Sequence, residues 1–321
     1  MADLNIGGQA VIEGVMMRSK DKISTAVRTA NGEIVVKTEI YHPLSVRYPF
    51  LNTPILRGAV AFAEMMVIGI KTLNFSADVA MSDAEKEEAN KKGKSVDPSK
   101  KQNNLYLAGS AIFALAFGVL IFFFTPLAIA SLFGIQKDAV SFNLLAGGIR
   151  LTMFVLYVWG ISFIKDFHRI FQYHGAEHKS IYTYEMGDEL TPERAATYTR
   201  FHPRCGTSFI LIVALLAILM YAVSDTIFTI AAGHPPALLP RFLLHMSLLP
   251  LVAGTSYELL KLSGKTRNNA ITKVLIQPGL WLQRITTKEP TPDQLEVAIV
   301  ALQAALGVVN TRIPSKSIPV S

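Results

Sequence analysis

Four stretches of this chain, residues 105–133, 143–164, 207–231 and 237–260, are apolar over the length that a membrane crossing needs, about 20 helical residues. No other feature constrains the fold as much. A backbone in hydrocarbon must satisfy every N–H and C=O group internally, so each stretch is expected to be a membrane-spanning helix. Residues 111–130 contain no charged side chain at all. The whole chain is 17% charged, below the roughly 25% of soluble domains. Residues 1–22 carry polar and charged side chains throughout, without the apolar core of a secretory signal.

Lys and Arg set the expected orientation. Fourteen precede the first stretch, six lie in residues 165–206 and eight follow the fourth, while the other two loops together carry only Lys137. Basic loops stay cytoplasmic. The distribution predicts a multi-pass cell-membrane protein with both termini and the middle segment on the cytoplasmic side. The single cysteine, Cys205, falls on that side and is expected to be a reduced thiol. Residues 261–321 hold eight basic against three acidic side chains, which suits a partner surface of anionic lipids in the bilayer. No nucleic-acid-binding module is recognisable.

Composition divides the chain further. Residues 1–81 form a cytoplasmic N-terminal region. Within it, 23–27 and 33–40 flank Asn31-Gly32, a dipeptide that tolerates the positive φ angles of a tight hairpin. Residues 55–74 read as an amphipathic helix against the membrane or another helix rather than a fifth span. Residues 82–104 are charged, poor in aromatics and punctuated by Gly and Pro, the composition of a solvated linker. The membrane domain covers 105–260 and encloses the middle segment, 165–206. In the C-terminal region, 261–321, Trp281 is expected to anchor at the headgroup level. Thr291-Pro292-Asp293-Gln294 has the form of a capping box, and Leu295, Ile299, Leu302 and Leu306 recur at helical spacing. The expected fold class is mainly α: about four transmembrane helices, a small N-terminal β-containing region and a C-terminal amphipathic helix.

The middle segment carries four of the seven histidines. His174-Gly175-Ala176-Glu177-His178 spells H-x-x-E-H, in which two histidines hold a metal and the glutamate activates its water. On a helix, positions four apart stack, so both imidazoles can reach one ion. Phe167, Phe171, His174, His178 and Ile181 share one stripe, which points the histidines toward packed protein or lipid. Such a helix is expected to turn back along the bilayer surface, because a straight continuation of the second span would carry His174 about 15 Å past it.

Three residues compete to complete the site. His202 and Cys205 have the two-residue gap common in zinc sites, and with His174 and His178 they would make a closed, structural His₃Cys site. Glu258, near the cytoplasmic end of the fourth span, is an alternative third ligand, or pairs with Lys261 or an arginine. Three ligands with an open position would be catalytic, with Glu177 as the base. Arg150 and Asp225 lie at similar depth in the second and third spans, which predicts a paired ion bridge between them; a transport role is the sharper alternative.

GGQAVIEGVMMR at 7–18, RGAVAFAE at 57–64, YHGAEHK at 173–179, HPRCGTSF at 202–209 and PGLWLQRITTKEP at 278–290 resemble the YqhQ-like family across nearly the whole chain. This is a bacterial multi-pass membrane family of unknown function, described as predicted metal-dependent enzymes. The resemblance implies a bacterial membrane protein, or a plastid relative, but no reaction. Gln9, Glu13 and Arg18 match the family's opening motif; they would shape a pocket or dock the N-terminal region on the helices. The combined expectation is a metal-dependent, zinc-class hydrolase (Glu177 catalytic; His174 and His178 with His202, Cys205 or Glu258 as ligands) acting at the cytoplasmic face on a membrane-associated peptide or lipid. A scaffold with a structural metal site, or a small transporter, are the competing readings.

Overall fold

The computed structural model describes residues 6–92, 104–134, 140–265, 269–308 and 314–318. Strands β1 (Gly7–Val11), β2 (Gly14–Arg18), β3 (Lys22–Arg28) and β4 (Ile34–Ile40) form an antiparallel meander, and β5 (Ser315–Ile318) adds to β4 in parallel. The family motif at 7–18 is thus the β1–β2 hairpin, with Val11 paired to Gly14 and Glu13 at a φ of 53° in its turn. The hairpin expected around Asn31-Gly32 is present but wider. The Gly32 N–H closes a turn on the Thr29 carbonyl at 3.0 Å, and only Gly32 takes a positive φ (88°) among the loop residues. This is a type I turn followed by a left-handed glycine, the three-residue alternative to the two-residue loop.

Helix α1 (Leu44–Arg47) leads into α2 (Leu56–Lys92), which is longer than the expected 55–74 helix and takes in residues 82–92 of the expected linker. Residues 93–103 lie outside the described residues. Four helical stretches are long and apolar enough to cross a membrane: Ile112–Ser131, Val140–Ile161, Phe209–Ala232 and Leu238–Leu262. The first is not one regular helix. It runs as α3 (Asn104–Val119), a π-turn at Leu120–Phe124 and α4 (Thr125–Ser131). The others belong to α5 (Val140–Ile161), α8 (Gly206–Ala232) and α9 (Leu238–Lys265). Helices α6 (Lys165–Met186), α7 (Pro192–Ala196), α10 (Ala270–Thr286) and α11 (Pro292–Leu306) complete the described helices. Helix α11 starts at the anticipated capping box, with Thr291 and Gln294 bonding reciprocally.

A hydrophobic core lies outside the spans. Val15, Met17, Ala26, Ile34 and Val36 on one face of the sheet pack with Leu295, Ile299 and Leu302 of α11 and Tyr173, Ala176 and Ile181 of α6. The opposite face meets α2, where Lys37 lies over the Phe75 ring and Ser76 accepts the Ile12 N–H. Helix α6 is therefore a core element of this sheet layer. Its N-terminal residues 165–169 are exposed, Phe167 among them, whereas 175–181 are buried. The buried stripe expected from Phe167 onward thus starts later, because the sheet covers only the second half of the helix. A break at 162–164, where Ile164 is extended (ψ 130°), separates α6 from α5.

The intramembrane charges pair differently from the expectation. Asp225, fully buried on α8, is bridged by Arg241 at 2.9 Å and by His245 at 3.0 Å, both on α9. Arg150 Nε instead donates to the Phe122 carbonyl at 2.8 Å. Pro126, four residues beyond Phe122, has no N–H for that carbonyl, and the π-turn presents it to Arg150. Matching depth did not decide the partner; a proline-made vacancy in the helix ladder did.

Removing Asp225 leaves Arg241 buried without its carboxylate, so Asp225→Ala should cost about 3–5 kcal/mol of stability. Double-mutant cycles in reversible unfolding should give Asp225–Arg241 a coupling above about 1 kcal/mol, larger than for Asp225–Arg150. Equal couplings would contradict this pairing.

Candidate metal centre

Helix α6 brings His174 and His178 onto one turn, and Cys205, at the N-cap of α8, faces them. The His174 Nε2, the cysteine Sγ and a ring nitrogen of His178 lie within 4.8 Å of one another. His174 Nε2 is 3.2 Å from Sγ. A tetrahedral zinc ion with ordinary bond lengths separates two nitrogens by about 3.4 Å and a nitrogen from a sulfur by about 3.6 Å. The cluster is therefore close to ligand spacing.

The backbone orients both rings. His174 Nδ1 lies 2.8 Å from the Thr286 carbonyl, and His178 Nδ1 lies 2.5 Å from the Arg200 carbonyl. A carbonyl only accepts, so each Nδ1 carries a proton and each neutral ring keeps its lone pair on Nε2. That is the arrangement that prepares metal-ligating histidines. His178 Nε2 is buried without a well-formed hydrogen bond among the described residues, an orphaned lone pair beside the sulfur. Two imidazoles and a thiol are the donor set zinc prefers. The residues fit the ion.

Two glycines let the backbone close in. A Cβ on Gly175 would collide with the Lys288 carbonyl oxygen, and one on Gly8 would come within 2.9 Å of the Glu177 side chain. Glycine inside a helix costs about 1 kcal/mol relative to alanine, so Gly175 within H-G-A-E-H was a legible sign of such an approach. The Gly8 N–H also bonds Glu177.

Electrostatics follow from burial. Glu177 is pushed up to about 8, first by desolvation and further by Cys205, against the opposing effects of His174 and the Gly8 N–H. Desolvation also lowers His178, which favours the neutral, ligating ring. Burial pushes the Cys205 thiol up, but His178 and the hydroxyl and N–H of Thr207 outweigh it, leaving the thiol below its ordinary value. Its place at the start of α8 acts in the same direction.

The remaining sequence candidates do not join this three-residue set. The His202 ring centroid is 5.6 Å from that of His178, and its Nε2 lies 3.3 Å from the Glu185 carboxylate. Glu258 is held by Arg57 of α2, whose Nε donates at 2.6 Å. That ion pair sits where α2 and α9 approach closely: a Cβ on Gly58 would lie 2.6 Å from the Tyr257 Cβ. Gln9 packs on Gly69 of α2, Glu13 takes a bidentate bond from Arg169, and Arg18 reaches Met65. All three fasten the β1–β2 hairpin to helices. Sequence reasoning missed the supports of the site. Gln283 accepts from the His202 N–H and donates to its carbonyl, both at 2.8 Å, and Glu185 engages both Arg204 and His202.

Residues 53–308 match a family described as a protein of unknown function, DUF1385. The chain is also similar to "Uncharacterized protein YqhQ" of Bacillus subtilis (strain 168), at 33% identity over 313 residues, covering 94% of this chain and 92% of that protein. No solved structure matches.

Glu177 gives the metal-free protein a pH signature. The unfolded carboxyl ionises near 4.5 and the folded one near 8, so the unfolded state binds fewer protons between those values and stability falls as pH rises. Against wild type, metal-free Glu177→Gln should gain stability progressively from pH 4.5 to 8, reaching a few kcal/mol. A pH-independent difference in chemical denaturation would contradict this.

Proposed function

The chain belongs to the DUF1385 family, whose function is unknown, and from its own residues we propose that it is a membrane-embedded, metal-dependent hydrolase of the zinc class. The observation that carries this reading is the clustering of His174, His178 and Cys205 within 4.8 Å, with the carboxyl of Glu177 between the two histidines in the chain. His202 is engaged with Glu185 and Glu258 with Arg57, which leaves three protein ligands and a fourth position for substrate or water. A zinc ion held in this way supplies a Lewis acid and makes water acidic near neutrality.

The chain's residues would divide the work as follows. His174 and His178 hold the ion through Nε2, kept in that tautomer by the Thr286 and Arg200 carbonyls. Cys205 binds as the thiolate, favoured by Thr207 and the helix terminus. Glu177, anchored by the Gly8 N–H, accepts a proton from water and returns it to the leaving group. A cation beside Glu177 would favour its carboxylate, the form that accepts a proton. Cys205 lies only four residues before the apolar span that begins at Phe209, about 6 Å along the helix. That position favours a membrane-anchored peptide or lipid as substrate. The Lys and Arg distribution assigns the site and both termini to the cytoplasmic side.

A second reading, a structural metal staple, draws on the enclosure of His178 and Cys205, 1% and 5% exposed. Cys205 begins a membrane helix while the histidines belong to the sheet layer, so an ion between them would tie the two parts together.

Metal content and hydrolysis of nanodisc-embedded lipid esters and anchored peptides separate these readings. Glu177→Gln should retain its metal and lose activity by about 10²-fold or more, whereas Cys205→Ala should lose both. The catalytic reading fails if Glu177→Gln matches wild type while Cys205→Ala loses metal and fold.

A further inference from the structure

We propose that α10 is seated in the lipid headgroup interface and that this seat supports the metal centre. The residues of α10 divide into two stripes. Val274, Gln277, Trp281 and Arg284 are exposed at offsets 0, 3, 7 and 10, one continuous face of the helix. Val274 is 69% and Trp281 60% exposed. Leu282, Gln283 and Thr286 are buried on the other side.

The bilayer is the occupant that fits the exposed face. Helix α10 begins eight residues after the fourth span ends at Leu262, and it packs against α8 and α5, both of which contain spans. Its surface is therefore continuous with the surface those spans present to lipid. Trp beside an aliphatic residue and an arginine is the composition of an interfacial helix, and Arg284 can meet lipid phosphates. The chain has two tryptophans. The other, Trp159, is 52% exposed two residues before the end of α5, the end that leads into the metal-bearing helix. Both mark the same boundary.

The buried face of α10 reaches the candidate ligands. The Thr286 carbonyl orients His174. Gln283 pairs with both backbone groups of His202, three residues before Cys205. Next in the chain, the Thr287 carbonyl accepts from Arg200, whose own carbonyl orients His178. Each element of the cluster is thus supported from 283–287. If α10 leaves the interface, these contacts loosen together. The coupling rests on the metal reading above; the seat does not.

Full-length Trp159→Phe protein has Trp281 as its only tryptophan and reports on the seat directly. In nanodiscs of brominated phosphatidylcholine, its fluorescence should be quenched more by bromines at carbons 6 and 7 than at 11 and 12. An unquenched Trp281 overturns the seat. For the coupling, the wild-type chain should bind zinc at least tenfold more tightly in nanodiscs than in detergent, and Trp281→Glu should abolish that difference. Equal affinity in the two environments overturns the coupling even if Trp281 is quenched. Zinc binding in neither overturns the metal reading and the coupling with it, while quenching still decides the seat.

Discussion

Two backbone carbonyls, those of Thr286 and Arg200, hold the site together. Each binds the Nδ1 of one histidine and turns the other nitrogen toward Cys205. Much of the surrounding architecture serves to deliver those carbonyls. Thr286 is the last residue of α10, where helix carbonyls have no further N–H to accept from. Arg200 lies in the short connection between α7 and α8. Gly175 lets the chain after α10 run against α6 closely enough for the Lys288 N–H to reach the Phe171 carbonyl at 2.8 Å. The cluster is assembled where α6, α8, α10 and the sheet converge, with the Arg200 carbonyl supplied by the connection before α8.

The same geometry explains why a cysteine at a helix start serves here. The first turn of α8 has unpaired N–H groups, and the sulfur accepts from one of them at Thr207. This favours the thiolate, as do the neighbouring imidazole and the Thr207 hydroxyl. A membrane helix thus begins at a candidate metal-ligand position, which puts the cluster at the edge of the apolar layer and in contact with the sheet domain at once.

Some of this was legible in the residues and some was not. The spans were, because hydrocarbon leaves a chain no alternative and the required run of apolar residues is long. The pairing of His174 with His178 was, because four-residue spacing on a helix has only one geometric outcome. So was the start of α11, written in Thr291, Pro292 and Gln294. That Cys205, rather than His202 or Glu258, lies within ligand spacing of both histidines was not, since residue type cannot say that Glu258 lies against Arg57 or His202 against Glu185. Strands β1 and β2 were missed because their glycines obscure a strand pattern, yet Gly8 is there to admit Glu177. The carbonyls of Thr286 and Arg200 left no trace in residue type, because every residue has one. Arg150 was assigned to Asp225 by depth, whereas the acceptor it uses is backbone exposed by Pro126.

Zinc-edge X-ray absorption on the zinc-loaded wild-type chain, purified without a polyhistidine tag, tests the central claim most directly. The account predicts one sulfur at about 2.3 Å, two imidazole nitrogens at about 2.0 Å and one further light atom. A spectrum without a sulfur shell, or with one sulfur and three imidazoles, would contradict it.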